Sequence, residues 1–217
     1  MNSTLIPALC VLLLAPVPFN VAFAQSASAG LPTLTFTKEF PGSSPDYYSI
    51  ALRQDGEALY RIALDEKPTS FQVSAESTDQ IFALAQKLNL FDGANLESKR
   101  KVAHMGRKTL LFENGDDRGE VFFNHTENAD ALALTALFER LSTTQQHRVR
   151  IEYLLRFDKL GIVKELLQLE MDLDRGRLLE PALLLPLLER VQTNRALVKV
   201  AQQRAAGIIA KLQSGAY

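Results

Sequence analysis

The chain has 217 residues, with 24 basic and 25 acidic side chains and a formal net charge of −1 at pH 7. This balance excludes a generally basic nucleic-acid-binding protein and a general electrostatic attraction to anionic membranes. The only cysteine, Cys10, lies in a segment that we expect to be removed, so the mature chain would have no disulfide and no cysteine nucleophile or zinc ligand.

The N-terminal segment has the pattern of a secretory signal peptide. Its first 24 residues carry no charged side chain, and an apolar run at 5–14 is followed by Pro16 and Pro18. The small-x-small motif Ala22-Phe23-Ala24 is typical of a cleavage site, and the two prolines disfavour a membrane-spanning helix. We therefore predict an exported protein, periplasmic or secreted, without a transmembrane segment in its mature chain.

The composition changes near residue 127 and divides the chain. Before it, β-branched and aromatic residues alternate between turn signals, and after it Leu, Ala, Glu, Arg and Gln dominate. This pattern predicts an α+β fold, in which an N-terminal antiparallel β-sheet with a packed helix is followed by a bundle of four to five α-helices. The predicted organisation is a signal peptide at 1–24, a flexible mature N-terminus at 25–32, a β-rich lobe at 31–126 and an α-helical lobe at 127–213.

Strands are predicted at 33–40, 47–54 and 57–64, with a loop at 41–46 and the hairpin signal Asp55-Gly56. Two registers remain open for this hairpin. A two-residue loop places Leu52 opposite Leu59, whereas a longer loop matches Ile50 with Ile62. Residues 70–74 form a short strand or a bend, and 77–91 form a helix capped by Ser77 or Thr78.

The stretch at 106–109, Gly-Arg-Lys-Thr, resembles the end of a phosphate-binding loop, but Lys101 stands where that loop needs a glycine and no helix follows. The pattern instead predicts a β-hairpin with a turn at 114–117. That register places Glu113 opposite Arg118, whereas a tight Asn-Gly turn would oppose Glu113 and Asp116. Because apolar residues occur on both faces of these strands, we expect the sheet to be covered on both sides.

Helices are predicted at 127–142, continuing through 144–157, and at 162–174, 186–193 and 196–212, with a short turn at 181–185. The stretch "LPLLERV" has an early proline, and "VKVAQQRAAGIIAKL" carries small residues that allow a close helix approach. Together, Leu185 to Leu212 resembles a single HEAT-type helical repeat. The resemblance implies a binding scaffold without chemistry, and one repeat has to bury its apolar face on neighbouring helices.

One local excess of charge stands out, a segment at 98–108 with five basic residues and no acidic residue: Lys99, Arg100, Lys101, Arg107 and Lys108. These residues are the predicted binding site for another envelope or secreted protein, or for an anionic polymer. The alternative is a solvated connector that enters an edge strand, where lysine prevents unwanted strand pairing.

Catalytic and metal-binding patterns are weak. His104 and His125 are expected near each other at the open end of the hairpin, where Glu127 could complete a zinc site, but the sequence has no close ligand pair. The acidic clusters at 116–117 and 170–174 suit a turn and a helix end. No nucleophile motif is present, so we predict no catalytic residue, metal or cofactor.

The leading hypothesis is an exported, non-catalytic binding or interaction protein without a nucleic-acid partner. One alternative is an extracytoplasmic hydrolase whose site is built from dispersed carboxylates and histidines. Another is an inhibitor of a secreted enzyme that presents the turn at 114–117.

Overall fold

The structure, a computed structural model, describes residues 30–215. The proposed signal peptide and residues 25–29 lie outside this range. The fold is α+β, as the sequence predicts, with a six-stranded antiparallel sheet in the order β4-β3-β2-β1-β5-β6. The strands are β1 Thr33–Glu39, β2 Tyr47–Arg53, β3 Glu57–Arg61, β4 Thr69–Gln72, β5 Arg107–Asn114 and β6 Asp117–Phe123. The helices are α1 Ala75–Lys87, α2 Ala129–Phe157, α3 Ile162–Asp174, α4 Leu185–Thr193 and α5 Lys199–Ser214, with 3-10 helices at Asn89–Phe91 and Pro181–Leu184.

The β5–β6 hairpin has the predicted register. Glu113 lies opposite Arg118, and Asn114 lies opposite Asp117 at the turn. The Arg118 guanidinium is 3.8 Å from the Glu113 carboxylate, so the opposite charges do face each other across the strands. Charge pairing was therefore a sufficient guide to register in this hairpin.

The β2–β3 hairpin follows neither of the two predicted registers. Ile50 lies opposite Tyr60, and Leu52 lies opposite Ala58, which leaves a three-residue loop at 54–56. Gly56 closes this loop with φ +84°, a left-handed conformation that favours glycine. Both predicted registers were wrong because the loop is centred on Asp55, which places Gly56 at its end in this left-handed conformation.

Helix α1 begins and ends earlier than predicted. Its cap is Ser74, whose hydroxyl oxygen accepts a hydrogen bond from the Ser77 amide at 3.2 Å. Ser77 and Thr78, the predicted caps, are buried inside the helix. The side chain of Glu180, far along the chain, accepts hydrogen bonds from the Ser74 amide and hydroxyl. A tertiary contact therefore supports the helix start that was observed.

A left-handed segment follows α1 and packs its backbone against β6. Asn89, Leu90 and Phe91 have φ values of 53°, 50° and 70°, a conformation that costs about 1–2 kcal/mol per non-glycine residue. Phe91 is almost fully buried in return. A Cβ atom added at Gly119 of β6 would lie 2.1 Å from the Leu90 carbonyl oxygen, so only glycine allows this approach.

Two hydrophobic cores share helix α2. The first core lies between one face of the sheet, α1 and the part of α2 up to Leu141. The second core starts at Ile151 of α2 and includes α3, α4 and α5. The helix pair α4–α5, which covers most of the HEAT-like segment, buries its apolar face in this second core. The division at residue 127 stays a proposal, with α2 as the element that joins the two parts.

Within the described part of the chain, helices cover one face of the sheet only, so the expectation of two covered faces was wrong. On the open face Phe122 is 62% exposed and Leu59 is 41% exposed. The Arg107 guanidinium lies 4.5 Å from the centre of the Phe122 ring, a cation–π contact that reduces the cost of exposing the ring. Apolar residues on both faces of a strand do not require a second layer when a long side chain shields them.

No helix in the described range 30–215 combines the length and the apolar character that a membrane crossing requires.

We expect Gly119→Ala to lower the free energy of unfolding by about 1–3 kcal/mol, because the methyl group would collide with the backbone at Leu90. Gly207→Ala in α5 is the matched control, since a Cβ there meets no atom within 4 Å and alanine favours a helix by about 1 kcal/mol. Urea unfolding of both variants tests the contrast. Equal stability of the two variants would contradict the close approach.

Candidate functional site

A groove runs along one side of α2. It consists of two adjoining cavities of about 440 and 260 Å³. Both are lined by Ser44 and Pro45 from the β1–β2 loop and by Thr143 and Gln146 from α2. Cavities of this size hold small ligands or short peptide segments.

The spacing of side chains on α2 produces one wall of the groove. Glu139, Thr143, Gln146 and Arg150 follow one another at intervals of four, three and four residues and so lie on the same side of the helix. The opposite wall is the loop at 40–46, whose ends are joined by a hydrogen bond from the Phe40 amide to the Asp46 carbonyl at 2.7 Å. The loop is thus held by its own hydrogen bonds.

A belt of buried polar residues lies beside the groove, at the point where α2 leaves one core and enters the other. Its members are Ser142, Thr144, Gln145 and His147. The Thr144 hydroxyl donates to the Leu179 carbonyl at 2.7 Å, and the Arg140 guanidinium donates to the Leu178 carbonyl at 2.9 Å. These bonds attach the segment before the second 3-10 helix to the middle of α2.

His147 lies between two carboxylates of α3 at the end of the larger cavity. Its Nδ1 is 2.7 Å from Glu165 Oε1, and its Nε2 is 3.3 Å from Asp172 Oδ2. The imidazole ring therefore joins α2 to α3 through a contact at each of its nitrogens. Asp172 also accepts from Gln168 at 2.9 Å and from Arg177 at 3.3 Å.

This arrangement leaves His147 without a free nitrogen. A general base or a metal ligand needs an imidazole nitrogen with an available lone pair, and here both nitrogens face carboxylates. Across residues 30–215, no three histidine, cysteine or acidic side chains form a group that could hold a metal ion. The cluster is thus suited to linking two helices.

Charged and phenolic groups surround the other end of the groove. Lys38 Nζ is 2.7 Å from Glu139 Oε1, and Tyr48 lines the smaller cavity. Burial, together with the charge of Glu139, raises the pKa of Tyr48 above its usual range. Burial likewise raises the pKa of Tyr60 to about 12. Both phenols therefore stay neutral at physiological pH.

The structure does not bring the five predicted binding residues together. Lys99, Arg100 and Lys101 are exposed in an irregular segment, where Arg100 lies 3.3 Å from Glu127. Arg107 is on the open face of the sheet. Lys108 points to the covered face because side chains alternate along a strand.

Lys108 is only 9% exposed. Its Nζ donates to the Asn124 carbonyl at 2.9 Å, and its neighbour across the strands is Lys38. Burial, and then the charge of Lys38, lowers the pKa of Lys108 from its usual value. This residue therefore contributes to the inner side of the sheet.

Sequence reasoning considered His104 and His125 but missed His147. The His104 ring is exposed and lies edge-on to Phe40 at 5.7 Å, and the His125 carbonyl accepts a hydrogen bond from the Ser98 amide. His147 falls at helical spacing between Thr144 and Ile151 on the buried side of α2. A histidine inside that stripe was the signal that the site existed.

No protein-family model matches this chain, and comparison with curated proteins finds no similar sequence. Function is therefore inferred from the groove and its side chains.

We expect His147→Leu to lower the free energy of unfolding by about 1–3 kcal/mol, because it removes the hydrogen-bonding partner of Glu165 and one partner of the buried Asp172. Adding Glu165→Gln and Asp172→Asn to this variant should recover most of the loss. His104→Leu at an exposed position is the control, with a change below about 0.5 kcal/mol. Urea unfolding measures all three. A loss that the two neutralising changes do not reduce would contradict the contact of His147 with the two carboxylates.

A second prediction concerns the pH dependence that Lys108 produces. The pKa of Lys108 is lower in the folded state than the usual 10.5 of the unfolded chain. At a pH between the folded and the unfolded pKa, the unfolded chain binds more protons than the folded one, so the free energy of unfolding rises with pH. The stability of the unmodified protein relative to Lys108→Met should therefore increase as the pH approaches 10.5 from neutral. Urea unfolding across this range tests it, with Lys101→Met as the exposed control. A pH-independent difference would disprove the shift.

Proposed function

We propose that the protein is an exported binding protein that holds a short acidic segment of a partner chain in the groove along α2. The observation that carries this proposal is the groove itself, with its two adjoining cavities between the 40–46 loop and one side of α2. The pattern of residues 1–24 supports export, which places the partner among envelope or secreted proteins.

The side chains of the groove suit a ligand with apolar and acidic groups. Pro45, Ile62 and Val149 supply apolar surface in the larger cavity, and Gln146 and Thr143 supply polar atoms. Such a mixture, apolar walls with a few polar groups, is typical of sites that bind without a covalent step.

The charges of the groove favour an acidic ligand. Glu165 and Asp172 already face His147, and Glu139 already faces Lys38. Within residues 30–215, the guanidinium of Arg150 forms no ion pair and lies 5.4 Å from the centre of the Tyr153 ring. The charge available to a ligand in the larger cavity is therefore the positive charge of Arg150. A ligand carboxylate pairs well with a guanidinium.

The sequence-predicted basic segment is a second candidate, because Lys99, Arg100 and Lys101 are consecutive and exposed. It would attract an anionic polymer or an acidic protein surface through charge alone. It lies on an irregular connection and lines only the small cavity at 95–99 and 126–128, of about 230 Å³. It therefore offers a partner less concave surface than the groove does.

Selection of a random peptide library on the purified protein tests the proposal. The protein is taken from the exported fraction, where N-terminal sequencing should find Gln25 first. We expect enriched peptides with acidic and apolar residues. Thr143→Trp, which fills the groove, and Arg150→Ser, which removes its free charge, should each weaken binding at least about tenfold, since one charge-assisted hydrogen bond contributes about 1.5–3 kcal/mol.

Matched controls are Thr193→Trp and Arg195→Ser at exposed positions near the end of α4. Binding that survives both groove variants would refute the groove as the site. If binding is lost only when Lys99, Arg100 and Lys101 are all changed to Ser, the basic segment is the binding site.

A further inference from the structure

We propose that the tip of the α2–α3 hairpin, defined as residues 153–164, docks on the surface of an anionic lipid bilayer. The inference goes beyond peptide binding in the groove and does not depend on it, because the tip residues at 156–160 do not line the groove.

Large apolar side chains protrude from this tip. Tyr153 is 49% exposed, Phe157 is 71% exposed and Leu160 is 82% exposed. The rings of Tyr153 and Phe157 are one helical turn apart, with their centres separated by 5.2 Å. Such a cluster lowers its free energy when it leaves water, whereas a single exposed residue would need no explanation.

The tip is ordered without help from these side chains. Helix α2 ends at Phe157 and α3 begins at Ile162, and the antiparallel pair is joined by the contacts of His147 with Glu165 and Asp172. Inside the turn, the Gly161 amide donates to the Asp158 side chain at 3.2 Å. Leu154 and Ile162 fill the core beneath. Phe157 and Leu160 are thus available for an external contact.

Basic residues surround the apolar tip. Arg150, Arg156, Lys159 and Lys164 are all exposed, and none of them pairs with a carboxylate within the described residues. The acidic neighbours have other partners, since Glu152 lies 3.6 Å from Arg148 and Asp158 caps the turn. The tip is therefore positive although the whole chain has a net charge of −1.

An anionic bilayer complements both the apolar side chains and the positive charge of this surface. Its headgroups attract lysine and arginine, each of which strengthens binding about fivefold near the surface. Aromatic and leucine side chains next to such cations enter the boundary between headgroups and acyl chains. A narrow hairpin end inserts readily into a fluid interface, whereas a protein partner would need a pocket shaped to receive it. Peripheral docking requires no membrane-spanning helix.

Co-sedimentation of the full exported protein with lipid vesicles tests the proposal. We expect binding to vesicles of phosphatidylcholine mixed with phosphatidylglycerol, weak binding to phosphatidylcholine alone, and release by added salt. The double variant Phe157→Ser and Leu160→Ser should lose binding. Changing Arg156, Lys159 and Lys164 to Ser should weaken it about 100-fold. All these side chains are exposed, so circular dichroism should show an unchanged fold.

Two matched variants complete the experiment. Leu59→Ser with Phe122→Ser removes exposed apolar side chains from the sheet, and changing Lys99, Arg100 and Lys101 to Ser removes three exposed cations elsewhere. Both should bind vesicles as the unmodified protein does. Absence of vesicle binding, or binding that the tip variants retain, overturns the proposal. The proposal is also overturned if the tip does not bind vesicles but binds an acidic protein.

Discussion

The structure depends on one long helix that belongs to two hydrophobic cores. With 29 residues, α2 is about 44 Å long, too long to bury its apolar stripe against the sheet alone. Its first half packs on the sheet and α1, and its last turns pack on α3, α4 and α5. Between Leu141 and Ile151 the helix passes from one core to the other, and most of its buried side chains there are polar.

The polar belt follows from this constraint. Burying a polar group without a hydrogen-bonding partner is costly, and Arg140, Thr144 and His147 of α2 find such partners in segments distant in sequence. The carbonyls of Leu178 and Leu179 accept from Arg140 and Thr144, while Glu165 and Asp172 face His147. These contacts fix the helical part relative to the sheet, and the His147 ring supplies Glu165 and Asp172 with a hydrogen-bonding partner.

The same junction explains where the groove and the tip lie. Where the two cores separate, the loop at 40–46 approaches α2 without filling the space, and the two cavities remain between them. Further along α2, the antiparallel pairing with α3 extends the helices beyond the core and exposes Phe157 and Leu160 at their end. A peptide-binding groove and a lipid-docking tip on one rigid helix would hold a bound partner at a fixed distance from a membrane surface.

The sequence by itself determined the features that neighbouring residues decide. Charge pairing set the β5–β6 register, and the helix at 162–174 and the turn after it lie where the residue pattern predicts them. The α+β class followed from the change in residue pattern near position 127.

Only the tertiary structure decided the remaining features, because they depend on residues far apart in the chain. Whether the second face of the sheet is covered depends on where helices pack, and the left-handed turn at 89–91 exists because Gly119 of another strand leaves room for it. The spacing of His147 on α2 indicated burial, but its two partners became known only when α3 placed a carboxylate at each ring nitrogen. Lys108 looked like part of an accessible basic patch, but strand alternation and the packing of the first core direct it inward.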